Sequence, residues 1–211
     1  MNPELRPALK GLCSAFRRPG AAPVVRGCPC CTTPAEFEHL ASKPLQHLSS
    51  EELERYAFKA ITTVGHVEAF RYFLPRIIEL AAEDAFPVDR EVVFGKIRHG
   101  RWHEWPIYER EAIERFAEAV ASTFATTVYD PYELDEWVCA LGQFADDLPQ
   151  LLTPLLAQTS PAKTNLRNLI DHNSEAAWSP ELANPFWDND NPNRDHFVRW
   201  LRQPEVRIAA G

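Results

Sequence analysis

Prolines placed directly behind helix-capping residues constrain this chain more than any other feature. Thr33-Pro34 and Asp130-Pro131 each set a side chain that can accept from free backbone N–H groups ahead of a proline. At the first helical position the proline φ is already helical, and its missing N–H would have no partner there anyway. The chain has 18 prolines against 8 glycines in 211 residues. A β-protein of this length needs more glycine for its turns, whereas frequent proline fits many short helices, each started or stopped by one.

The apolar spacing agrees. Leu5, Leu9, Leu12 and Phe16 share one helical face, and residues 17–31 read as a loop. Thr33-Pro34 starts a short helix ending near Ser42. Ser49-x-x-Glu52 is a capping box ahead of Leu53, Tyr56, Ala57, Ala60 and Ile61, with Gly65 placed to end that helix in the left-handed conformation. Residues 66–84 carry the densest apolar run, and Pro75 within it either kinks one helix or starts another. Asp89 caps and Gly100 stops the next helix. A long helix follows from Pro106 to about Val128, another from Pro131, and shorter ones near 147–157, 161–172 and 193–203. His66 and His172 fall at helix ends. Trp178, Trp187 and Trp200 read as core or docking residues of the last helices. The expectation is an all-α chain of about nine or ten helices, in a compact bundle or an irregular α-solenoid. It reads as a single domain over 1–211, with the N-terminal helix and cysteine-containing loop (1–33) packed on it.

Charge narrows the partners. The formal net charge is −8, yet residues 1–31 hold five basic side chains (Arg6, Lys10, Arg17, Arg18, Arg26) against Glu4, leaving −12 for the rest. An acidic body argues against nucleic acid, whose phosphates need a basic face. It suits another protein, of basic character, as partner. No run of 18 or more apolar residues predicts a membrane span, and no secretory signal is legible. Five cysteines, three of them clustered, do not resemble a secreted disulfide framework, so the expected setting is cytoplasmic.

The cysteine run Cys28-Pro29-Cys30-Cys31 is the one stretch whose residue types point to chemistry. Cys28 and Cys31 form a C-x-x-C pair that can place two thiolates on one zinc ion, with Cys30, Cys13, His39 or His47 as further ligands. No second C-x-x-C follows at finger spacing, so the pattern is half a site. Pro29 within the pair also fits a redox turn, although the βαβ context of such turns is missing. Arg101, Trp102, His103 and Trp105 are residue types that dominate interaction surfaces, unless the tryptophans pack inward. Asp188-Asn189-Asp190-Asn191 lacks the glycine and glutamate of a calcium loop and reads as turn and cap chemistry. No nucleophile elbow or phosphate-binding glycine loop occurs, so no catalytic or cofactor-binding residue is assigned.

The run from Cys28-Pro-Cys-Cys31 through Tyr56-Ala-Phe-Lys-Ala60 to Phe73-Leu-Pro-Arg76 resembles a group of bacterial all-helical proteins with an N-terminal C-x-x-C, over roughly residues 12–85. That resemblance implies a helical fold and favours Cys28 and Cys31 as the paired positions. It implies no activity. Two function classes follow: a non-catalytic acidic helical protein that binds another protein, as an adaptor or a neutraliser of a basic toxin, or a metal- or thiol-dependent enzyme using the cysteine cluster or the His99/His103 loop.

Overall fold

A computed structural model describes all residues except 1, 29, 31, 84, 85, 188 and 189. The described residues form α- and 3-10 helices and no strands, so the chain is all-α. The chain divides into two compact units, Met1–Phe116 and Ala117–Gly211.

The N-terminal unit holds α1 (Arg6–Ala15), α2 (Ser50–Lys59), α3 (Val67–Ala82), α4 (Arg90–His99) and the first part of α5 (Ile107–Thr123). α3 is its centre and packs against α1, α2 and α4. The reason is compositional: Phe70, Phe73, Leu74, Ile77, Ile78 and Leu80 are all buried, so a helix apolar on most faces must be surrounded. Pro75 sits inside α3 without ending it. α2 begins at the capping box, where the Ser49 N–H donates to the Glu52 carboxylate at 2.8 Å and the Glu52 N–H donates back to Ser49 Oγ at 3.4 Å. Pro34–Ala41 is a 3-10 rather than an α-helix.

Gly65 does not end α2. The helix stops at Lys59, and Ala60 turns out at ψ 138°. The chain is needed elsewhere: Val64 forms an antiparallel bridge with Gly27. The Cys28 N–H donates to Thr63 O at 3.0 Å, and the Gly65 N–H donates to Arg26 O at 2.7 Å. The turn between holds Ile61 at φ +68°, a conformation that β-branched residues rarely adopt.

The C-terminal unit contains the end of α5, α6 (Pro131–Gly142), α7 (Leu148–Leu151), α8 (Ser160–His172), α9 (Pro192–Leu201) and α10 (Pro204–Ala210). α6 lies on α8, α8 on α10, and α7 on α9. Asp130 caps α6, its carboxylate accepting from the Tyr132 N–H at 2.9 Å ahead of Pro131. Asn165 of α8 is fully buried and complete: it accepts from the Tyr129 N–H at 3.0 Å and donates to Phe124 O at 2.9 Å and Thr127 O at 2.7 Å. That accounts for the early end of α5 at Thr123, because the carbonyls beyond it are taken by a side chain rather than by the next turn.

Candidate functional site

Cys28 directly follows Gly27 on the arm that pairs with the 60–65 turn, and Cys30 lies in the turn after it. Their sulfurs are 2.6 Å apart, too long for a disulfide bond of about 2.05 Å. The arm is fixed by the Cys28 N–H donating to Thr63 O, by Arg26 O accepting from the Gly65 N–H, and by Thr32, whose N–H and hydroxyl both donate to Cys28 O at 3.0 Å. Gly27 is required there, since a Cβ would fall 2.2 Å from Thr32 Oγ1. Cys31, the second half of the C-x-x-C pair, lies outside the described residues.

The other expected ligands are not assembled. Among the described residues no three His, Cys, Asp or Glu side chains form a group able to hold a metal. Cys13 lies on α1, where desolvation and then Glu79 push its thiol above the usual pKa, with Arg76 pulling the other way. The thiolate, which is the metal-binding form, is therefore disfavoured at neutral pH. His39 Nε2 meets the Glu52 carbonyl at 3.1 Å. A carbonyl only accepts, so that nitrogen carries the proton. His47 is exposed at the end of a 3-10 turn.

The Arg101–Trp105 segment is corrected in part. Trp102 and Trp105 are buried and offer no surface. The loop wraps Gly100, whose carbonyl accepts from Trp105 Nε1–H at 2.8 Å. The Trp105 ring makes T-shaped contacts with those of Phe16 and Phe70 and carries the Arg71 guanidinium 5.6 Å above it. Only Arg101, His103 and Glu104 face solvent, with Arg101 and Glu104 paired at 3.1 Å.

Beside Trp105 lies a buried ionic cluster that sequence inspection passed over. Glu109 is fully buried and takes a two-pronged contact from Arg71, Nε at 2.8 Å and Nη2 at 2.9 Å, together with Arg18 Nη2. Arg71 also donates to Glu68. This ties the segment after α1 to α3 and α5.

The C-terminal unit holds the more distinctive surface. Trp178 is 75% exposed, while Trp102, Trp105, Trp137, Trp187 and Trp200 are all buried. A core role for Trp178 is therefore overturned: it projects from the segment after α8, just past the 3-10 turn Ser174–Ala177. Loops that lack backbone ladders need side chains to fix them, and this one has them. Arg202 donates from Nε to Ala176 O and from Nη2 to Ser179 O, both at 2.7 Å. Asn173 accepts from the Ala183 N–H at 3.0 Å, and Gln143 donates to Phe186 O at 2.9 Å. Trp187 follows, buried against Phe197, with Phe197 against Trp200. Asn191 caps α9, accepting from the Asn193 N–H at 3.0 Å, while Asp188 and Asn189 lie outside the described residues.

Asp135 and His172 underlie the loop. Asp135 is buried and accepts from Asn173 Nδ2 at 2.7 Å, with His172 Nε2 at 3.9 Å and the exposed Tyr132 ring edge-on to the imidazole. Burial raises the Asp135 carboxyl above its usual range, and Asn173, His172 and Asn184 pull it back in part. The sequence signal was present: Asp135 interrupts the run Leu134, Trp137, Val138, Leu141 on the inward side of α6.

Charge is partitioned the same way. Ala117–Gly211 contains 6 Lys and Arg against 14 Asp and Glu, and Met1–Phe116 has 16 of each, so the full −8 resides in the C-terminal unit. Asp171, Glu175 and Glu181, close to Trp178 in sequence, are exposed.

No known protein family, curated protein or solved structure matches this chain. Among the described residues no helix is long and apolar enough to cross a membrane.

Proposed function

We propose that the chain is a non-catalytic protein-binding protein that seats a basic segment of its partner on residues 171–186, as an adaptor or a neutraliser of a cationic protein would. The observation that carries this reading is Trp178, a large exposed aromatic side chain on a loop pinned by Arg202, Asn173 and Gln143. Rigid aromatic anchors dominate binding energy because they bury much area while losing little conformational freedom. Exposed Asp171, Glu175 and Glu181 supply the field that draws in a cation.

Peptide display on the immobilised full chain tests it. Peptides selected by wild type should be rich in Lys and Arg. They should be lost, together with their salt-sensitive binding, on a Trp178→Ala/Glu175→Gln variant. Selection of the same peptides by both proteins, or of neutral and acidic peptides, refutes the reading.

The Cys28–Cys30 contact favours a second reading, metal- or thiol-dependent chemistry at the cysteine turn, with zinc as the metal. Protein purified without a histidine tag should then carry about one zinc per chain, and a Cys28→Ser/Cys30→Ser variant should lose it. Equal metal content in both proteins removes this reading.

A further inference from the structure

We propose that the N-terminal unit binds a small organic monoanion, a carboxylate with an apolar tail, in the cavity between the segment after α1, the 41–46 segment and α3. The cavity has a volume of about 620 Å³ and is lined by Arg17, Arg18, Lys43 and Arg76 along with apolar residues that include Phe16, Pro44, Leu45 and Pro75. Its size suits a small ligand, and apolar walls with a few polar groups are the usual make-up of such sites.

The charges select the ligand. Lys43 is paired with Glu52 at 2.7 Å, Arg76 with Glu79 at 2.6 Å, and Arg18 with Glu109. Among the described residues three of the four cations are therefore neutralised and Arg17 has no ion-pair partner. One uncompensated positive charge fits a monoanion rather than a polyanion.

Donors remain available. Arg76 spends Nε on Leu48 O and Nη1 on Glu79, which fixes its plane and leaves Nη2 for a ligand. Tyr72 also lines the cavity, and its hydroxyl has no hydrogen-bond partner among the described residues. Arg17 is exposed and its guanidinium is likewise unpaired there. A carboxylate between Arg17 and Arg76, with its tail on Phe16 and Leu45, uses all three.

Octanoate and its uncharged analogue octanol are the probes, titrated by calorimetry into the full chain. One octanoate should bind per chain, and octanol at least about tenfold more weakly, the scale of a charge-assisted hydrogen bond. Arg17→Gln should weaken octanoate about tenfold without moving octanol affinity or melting temperature, since the side chain supports no other group. Tyr72→Phe should weaken octanoate while retaining the ring. The proposal is overturned by equal affinity for octanoate and octanol, by no octanoate binding to wild type, or by unchanged octanoate affinity in Arg17→Gln.

Discussion

Glu109 shows how much of this fold rests on single side chains. It is a fully buried carboxylate held by two guanidinium groups. Removing its charge strands Arg71, itself buried, without its principal partner. Glu109→Gln should therefore lower the unfolding free energy by about 3 kcal/mol in urea titration, the scale for breaking a buried pair from one side. Glu68→Gln, which removes Arg71's exposed partner, should cost under about 1 kcal/mol. Asp135 gives a prediction with a sign. Burial raises its folded pKa above the unfolded value of about 3.9. Its contribution to stability is therefore fully present below the unfolded pKa and is lost as pH rises through the folded one. Asp135→Asn keeps an acceptor for Asn173 and removes the titration. Its stability relative to wild type should be more favourable at pH 7.5 than at pH 4.5 in thermal melts. A difference independent of pH would show that the carboxylate titrates alike in both states. Trp178 is checked optically: acrylamide should quench one accessible fraction of the tryptophan emission, and Trp178→Phe should abolish it.

At the scale of elements, the helix starts were legible and the ends less so. Thr33-Pro34, Ser49-x-x-Glu52 and Asp130-Pro131 all mark helix starts, because capping is local chemistry written within four residues. Gly65 misled because a distant pairing with Gly27 ends α2 first, and Asn165 stops α5 from 36 or more residues away. Neither partner is visible in a local window. Trp102, Trp105 and Trp178 show the same limit: residue type alone separates neither buried from exposed tryptophan, and only the tertiary neighbours do. Gly142, near the end of α6, offers a test of such neighbours. Gly→Ala inside a helix ordinarily stabilises by roughly 0.5–1 kcal/mol. Here a Cβ would lie 2.2 Å from the Trp187 ring. Gly142→Ala should instead lower the melting temperature and alter the near-ultraviolet dichroism of the Trp187–Phe197 stack.

For the molecule as a whole, the informative quantity is where the charge lies. The net −8 was legible from composition, but its confinement to Ala117–Gly211 follows only once the units are drawn. This makes the binding proposal quantitative. Association with a cationic peptide should slow steeply between 50 and 200 mM salt, across which the Debye length falls below about 10 Å. Neutralising Asp171, Glu175 and Glu181 should flatten that dependence. Neutralising three exposed acids of the N-terminal unit, such as Glu54, Glu111 and Glu114, should leave it steep. If net charge alone governed the rate, both sets would act alike.

The anchors of the 173–186 loop come from outside its exposed positions: Arg202 from beyond α9, Gln143 from the end of α6, and Asn173 at its root. They grip backbone carbonyls and an amide, which every residue type supplies. Residues 177, 178, 180 and 181 can therefore be exchanged without touching what holds the loop. This makes the loop a replaceable cassette, on which side chains can be varied while the scaffold beneath is unchanged.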